Sequence, residues 1–444
     1  RELRDRLARR LQLLRARSSP ETRHGSLQGA LDASWDLLEP WEQAAVVQCS
    51  VFAGRFTADD ANAVLEPSAD RTTEDAVQAL VEHSLLYGWA VQGRPRLGMY
   101  VSVRLWAGAK GPTAAAEARH GAWFAALGSL EALRVHHGPD GAAALARVVE
   151  VLDDLVLATR RAVERGDAAV SVNAAAAACA ALEHTGPFAA AVPLCDAVLG
   201  LRGLSAEQRA RILGLRGWMR LQQGELDAAT ADLDAGLGAA EDPRISARIL
   251  ASRAGLRRAR GDLSGARAGF EQALAAYEAA AEPHGQAAAT ANLGTVALDR
   301  GDVDAALARF GQALAMHRAL GDRRGEGTVL GNLASTLHLA GRLDDAERTY
   351  RQALDLHREL GHRVHEAVVL SNLAAVDVAR GELDEAERLL YQALDAHRQV
   401  GNRRGEAVTC ASLGTLARRR GPPADPREWF DRAVLLLEQV GDGA

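Results

Sequence analysis

Gly301-Asp302-Val303-Asp304-Ala305-Ala306-Leu307-Ala308-Arg309-Phe310-Gly311-Gln312-Ala313-Leu314 is followed, 40 residues on, by Gly341-Arg342-Leu343-Asp344-Asp345-Ala346-Glu347-Arg348-Thr349-Tyr350-Arg351-Gln352-Ala353-Leu354. A glycine, a small alanine, an aromatic ring and a Gln-Ala-Leu triplet return in the same places. The spacing continues through Gly261, Gly381 and Gly421, through Gln272-Ala273-Leu274 and Gln392-Ala393-Leu394, and through a second series, Gly321, Gly361, Gly401 and Gly441. A fixed period of this size marks a repeat array. Each unit reads as helix A, a turn at the first glycine, helix B, and a longer turn such as Gly321-Asp322-Arg323-Arg324. Glycine relieves the tight turn, and Ala306, Ala346 and Ala386 let helices A and B approach closely. One pair cannot bury its own apolar faces, so neighbours must stack into a right-handed solenoid with a continuous core.

Upstream, Gly224 with Ala229, and Gly261 with Ala266, Phe270 and Ala273, carry the pattern back, and Gly186 marks a divergent copy. About six repeats over 186–444 follow. The last copy has Gly421-Pro422-Pro423 and then Asp425-Pro426, a helix cap followed by proline at the first helical position, which suits a terminal unit.

Composition points the same way. Aromatics are 4% of the 444 residues, and the chain is rich in Ala, Leu, Arg and Glu, as expected of many short helices. Basic minus acidic residues is 52 − 58 = −6, which gives no global attraction for nucleic acid or an anionic membrane. Cys49, Cys179, Cys195 and Cys410 lie far apart without ligand spacing, which argues against zinc or a disulfide framework and predicts a reducing cytoplasm. No apolar run reaches the roughly 20 residues of a bilayer span, and no signal peptide opens the chain. Arg1–Arg17 reads as the end of a charged helix, so a fragment of a longer protein is expected. Catalytic signatures such as GxSxG and HExxH are absent, and a non-enzyme is predicted.

The repeat positions resemble the tetratricopeptide repeat. Leu293-Gly294, Gly301, Ala306, Phe310 and Ala313 stand at that family's spacing, and Leu333, Gly341, Ala346, Tyr350 and Ala353 repeat it. The 40-residue period, longer than the commonest form of the repeat, looks like the variant with lengthened helices found in bacterial regulators.

Residues 24–110 read differently. Helices are predicted at 26–38, 40–51, 57–65 and 72–83, then strands at 84–91 and 96–101 around Gln92-Gly93-Arg94-Pro95, an order that suggests a winged helix. Here the runs Arg23-His24-Gly25-Ser26-Leu27, Ala30-Leu31-Asp32-Ala33-Ser34-Trp35-Asp36-Leu37-Leu38 and Ser50-Val51-Phe52-Ala53-Gly54-Arg55-Phe56-Thr57 resemble the winged-helix segment of bacterial STAND signalling ATPases, relatives of NB-ARC proteins. The resemblance continues through Val103-Arg104-Leu105-Trp106-Ala107 and Arg119-His120 before a helix. It implies an all-α chain: 1–23 ending a preceding helical domain, a winged helix with a short β-hairpin over 24–110, a helical linker or divergent first helix pairs over 111–185, and a tetratricopeptide-type superhelical solenoid over 186–444.

In that family an upstream domain holds ADP or ATP, and the repeats sense a protein or peptide ligand; activation in some members assembles oligomers. This chain has no GxxxxGK[ST], and its single lysine, Lys110, lacks phosphate-cradling glycines, so no cofactor is expected within it. Where eukaryotic relatives carry Met-His-Asp beside the nucleotide, the matching residues are Met99-Tyr100-Val101, and no nucleotide contact is assigned.

Asn292, Asn332 and Asn372 recur in helix A, with Ser252 and Ser412 equivalent to them in the flanking copies. Asparagine is a poor helix former, so its repetition needs a reason. A ladder of carboxamides gripping an extended peptide backbone is one reading, and bonding to a neighbouring repeat's backbone is the other. His317, His357 and His397 also recur; one repeat apart they cannot share a metal, and a solvated face of helix B is expected for them. Arg324 and Arg404, near Glu326 and Glu406, read either as a clamp for an acidic ligand or as support for the helix start. The segment that would recognise DNA carries Glu74, Asp75 and Glu82, which phosphates would repel. A sensor that binds a partner is therefore the leading expectation, with a freestanding scaffold and a DNA-binding regulator as rivals.

Overall fold

The computed structural model describes residues 27–91, 94–399, 402–422 and 425–439. The helical end expected at 1–23, and Gly401 and Gly441, lie outside the described residues. Two compact units divide the chain: 1–127 with 151–174, and 128–150 with 175–444. Residues 111–185, expected as a helical linker or divergent first helix pairs, contribute to both units.

In the first unit, α1 (Leu27–Asp36), α2 (Pro40–Cys49), α3 (Ala58–Val64) and α4 (Thr73–Glu82) precede an antiparallel hairpin of β1 (Tyr87–Val91) and β2 (Arg94–Gly98). Thr57 and Thr72 set the starts of α3 and α4 by reciprocal caps with Asp60 and Asp75. The hairpin pairs Tyr87 with Gly98 and Val91 with Arg94, and Leu97 bridges back to Phe56. α5 (Val101–Gly108) and α6 (Ala114–Ala126) follow; α7 (Leu130–Val135) and α8 (Gly141–Glu150) belong to the second unit, and α9 (Leu152–Arg165) returns to the first.

Arg119 and His120, expected ahead of a helix, lie inside α6. The helix starts earlier because Ala114-Ala115-Ala116-Glu117 is already strongly helix-forming. His120 is fully buried against Phe52 and Phe124, with Nε2 2.9 Å from Asp154 Oδ1, which also accepts the Ala53 N–H.

The second unit is the array. After α10 (Ala168–Thr185), whose residues from 175 on belong to it, and α11 (Ala191–Leu199), six helix pairs follow. They are α12 (Ala206–Gln222) with α13 (Leu226–Ala239), α14 (Pro243–Ala259) with α15 (Leu263–Ala279), and α16 (Pro283–Asp299) with α17 (Val303–Ala319). Then come α18 (Arg323–Leu339) with α19 (Leu343–Glu359), α20 (Arg363–Arg380) with α21 (Leu383–Gln399), and α22 (Arg403–Arg420) with α23 (Pro426–Gln439).

The turns are as regular as the sequence. Gly301 and Gly341 take φ of 80° and 74°, a left-handed conformation that lets the N–H groups of Asp302 and Arg342 reach back to the carbonyls of Ala297 and Leu337. Ala306, Ala346 and Ala386 are fully buried, and Phe310, Tyr350 and Leu390 fill the space beside them. One apolar core runs from Ala291 to Leu436. The fold is therefore an all-α, tetratricopeptide-type solenoid with a single two-stranded sheet among the described residues. No helix among them is long and apolar enough to cross a membrane.

Candidate functional site

Burial along the A helices α16, α18, α20 and α22 leaves one stripe partly open in each. In α18 it runs through Arg324, Thr328, Asn332, Ser335 and the exposed Leu339; in α20 through Val364, Val368, Asn372 and Ala375; in α22 through Arg404, Val408, Ser412 and Thr415. Steps of three and four residues place each set on one helical face. Asn292, Asn332 and Asn372 are half-buried on this stripe, and their carboxamides make no hydrogen bond among the described residues. Ser252, expected on the same binding face, is buried at 7% exposure, and Ser252 and the half-buried Ser412 donate to the Arg248 and Val408 carbonyls of their own helices, at 3.1 Å each. Beside the amides stand apolar side chains that water reaches: Val368 is 43% exposed, Val408 57% and Leu339 69%. Such a surface offers donors, acceptors and small apolar seats in a repeating order.

The arginines are placed differently from the helix-start expectation. Glu326 pairs with Arg318 at 2.8 Å and Arg323 at 3.5 Å, not with Arg324. Glu406 pairs with Arg398 at 2.9 Å and Arg403 at 3.4 Å in the same manner. The reason is rotational: residue 323 lies three positions from Glu326, on its side of the helix, and residue 324 lies on the stripe. Arg324 makes no ion pair and no side-chain hydrogen bond among the described residues. Arg404 is exposed and engaged.

The expected solvated face for His317, His357 and His397 is corrected outright: their exposures are 4%, 1% and 2%. Each closes helix B, where the next A helix covers it. The space comes from glycine: a Cβ at Gly325 would lie 2.2 Å from the His317 ring, and one at Gly405 2.4 Å from that of His397. His317 Nδ1 stands 2.9 Å from Asp322 Oδ2, while the other oxygen of Asp322 caps α18 through the Gly325 N–H. Asn402 caps α22 in the same way.

One repeat breaks this rule. Gly321-Asp322-Arg323-Arg324-Gly325 and Gly401-Asn402-Arg403-Arg404-Gly405 are matched by Gly361-His362-Arg363-Val364-His365. Histidine has replaced both the cap and the space-making glycine, and α20 has no side-chain cap. The consequence is a nest of rings. His362 and His365 stack at 4.0 Å between centroids, His357 lies 5.3–5.4 Å from both, and His184 from the end of α10 stacks on His362 at 4.7 Å. Burial holds His184 and His357 down at about 4 and His365 at about 3, and pushes His362 lower still. The sequence reading missed this cluster. The signal available to it was the departure of 361–365 from its own period; the contact with residue 184 had no sequence signal at all. Among the described residues no three such side chains converge to hold a metal ion.

The tetratricopeptide repeat family matches residues 286–359 and 365–442. No curated protein matches the chain in sequence. Among solved structures, a Rap protein complexed with competence and sporulation factor aligns with 74% of this chain and 88% of its own, at 12% identity and a TM-score of 0.55. The Rap conjugation regulator of plasmid pLS20, in complex with the Phr* peptide, aligns with 72% of this chain and 96% of its own, at 13% identity and 0.51. A Signal Transduction ATPase with Numerous Domains bearing a tetratricopeptide repeat sensor, from Pyrococcus horikoshii, aligns with 96% of this chain and 66% of its own, at 12% identity and 0.46. The chain thus spans just under two thirds of that protein's length. At these identities the likeness is one of fold.

Proposed function

We propose that the array is a non-catalytic sensor that binds a peptide, or an extended segment of a protein, along the open stripe of its A helices. The observation that carries this reading is the set of carboxamides on Asn292, Asn332 and Asn372, half-exposed and without partners among the described residues, beside water-exposed Val368 and Val408. An amide presents a donor and an acceptor in the pattern of a peptide bond, so a ladder of them matches an extended backbone, while the valines take alternate side chains. The Rap structures held with a signalling factor and a peptide support the class of ligand without specifying it.

We further read the first unit as a winged helix and the whole as the sensory part of a STAND-type chain, relaying binding to a nucleotide-switch domain that would hold ADP or ATP. Support comes from the sequence runs quoted above and from the order of helices and hairpin in residues 27–98. Duplex DNA is disfavoured as a ligand because Glu74, Asp75 and Glu82 of α4 are all exposed. A P-loop in the reading frame ahead of Arg1 would support the STAND assignment, and an unrelated domain there would refute it.

The direct test is a peptide selected on the wild-type chain from a random display library. Replacing Asn332 and Asn372 together by alanine should weaken its binding at least about tenfold, since each lost amide contact is worth about 1 kcal/mol, while the melting temperature does not fall, because alanine is the better helix former. Unchanged affinity in that variant would remove the stripe from consideration.

A further inference from the structure

The histidine nest is unused by the peptide-binding reading and costs the fold something. Losing the cap that Asp322 and Asn402 provide elsewhere sacrifices a helix-start hydrogen bond at His362. Nδ1 of His184, His357, His362 and His365 is in each case buried without a hydrogen-bond partner. Unmet polar atoms gathered at one place are unfavourable unless something arrives to meet them. The nest is also not sealed: His184, His365 and Arg324 are only partly buried, so one side opens to water. Arg324, whose guanidinium has no ion-pair partner, lies within electrostatic reach of His184, His357, His362 and His365.

We propose that this nest is a binding site for a tetrahedral oxyanion of the phosphate class, with Arg324 as its fixed charge and the imidazoles as N–H donors that take up protons as the anion enters. A metal ion is disfavoured, because Arg324 repels a cation and the ring nitrogens do not converge. A carboxylate is satisfied by one bidentate guanidinium and leaves the four imidazoles idle. A phosphate-type group has more oxygens and a second negative charge, and neutral imidazoles beside it answer both needs by protonation.

Other charged groups face the nest. Asp322, near His137, is held by His317 and the Gly325 N–H with His284 3.6 Å away, and Glu366 of α20 is held by Arg358 and Arg363. His136 and the exposed His137, from the segment after α7, lie near Arg324 as well. Glu183 acts on His184, His136 and His137, and it opposes an incoming anion. The site shares Arg324 with the peptide stripe, which continues along α18 through Thr328 and Asn332, while its imidazoles lie outside the set of amides that carries the peptide reading.

The test uses the full chain and sodium sulfate, a tetrahedral dianion that does not itself titrate near neutrality, at constant ionic strength. Ring nitrogen resonances, assigned through single His→Gln variants, report occupancy at about pH 8 and about pH 6.5. Expected are saturable shifts of His357, His362 and His365 toward the imidazolium position, and binding roughly tenfold tighter at the lower pH, as proton uptake requires. Arg324→Gln should weaken binding at least about tenfold, Arg324→Lys should retain part of it, and Glu183→Gln should tighten it severalfold. Inorganic phosphate and N-acetylphosphoserine amide are the two further arms: tighter binding of the first points to a free anion, and of the second to a modified peptide. Acetate binding as well as sulfate, shifts that fail to saturate, or an affinity indifferent to both Arg324→Gln and Glu183→Gln would overturn the proposal. None of these results depends on whether the asparagine stripe binds a peptide.

Discussion

Acidification from pH 8 to pH 5 should destabilise the array far more than the first unit, with nearly all of the loss below about pH 6.5. His184, His357 and His365 have folded-state values of about 4, 4 and 3, against about 6.5 when unfolded. A histidine depressed in this way binds fewer protons folded than unfolded. Its stabilisation is therefore intact above the unfolded value and is lost as pH falls toward the folded one. At pH 5 each such ring costs on the order of 2 kcal/mol, and His362, depressed further, adds to the sum. Asp377 works the other way: burial raises it to about 6, so its neutral form favours the fold at low pH by about 1 kcal/mol. A net loss of several kcal/mol is a large share of an ordinary domain's roughly 5–15 kcal/mol. Urea melts followed by circular dichroism across this range give the check. The paired replacement His362→Asp and His365→Gly, which restores the cap and glycine of the neighbouring repeats, should flatten the dependence. A wild-type midpoint that holds down to pH 5 would contradict this account, as would a paired variant that keeps the wild-type slope.

Tyr350→Ala should cost about 3–5 kcal/mol, the range for removing a fully packed aromatic. Tyr350 is 1% exposed inside the longest core, and its hydroxyl lies 2.8 Å from that of Ser335. Tyr350→Phe separates the two contributions: only the hydrogen bond is lost, at about 1 kcal/mol. Because each repeat leans only on its neighbours, the damage should be local. Hydrogen exchange should accelerate in α18 to α21 and change little in α12 to α15. Uniform acceleration through the whole array would mean that the repeats unfold as one block.

Much of this molecule was legible beforehand for a simple reason: a repeat states its own fold several times. Gly301, Ala306, Phe310 and Ala313 mean little singly, but recurrence at 40 residues shows that each answers a local demand of turn, close approach or packing. The starts of α3 and α4 were also readable, since Thr57 and Thr72 are caps acting within three residues of themselves. The asparagine ladder was visible as a pattern, but not whether its amides were already bonded.

Rotation about a helix axis, and contacts between distant segments, lay beyond such reading. Whether residue 323 or 324 meets Glu326, and whether His317 faces water or the next repeat, turn on about 100° per residue. A one-residue difference moves a side chain from core to surface. Residues 184 and 362 meet only because α10 and α20 belong to one folded array, and no local preference records that. The sequence alone therefore determined the repeated helix pair, because short-range forces act identically in every copy. Only tertiary structure decided where the copy that departs from the pattern would gather its histidines, because burial and electrostatic coupling are properties of the assembled solenoid and not of any single segment.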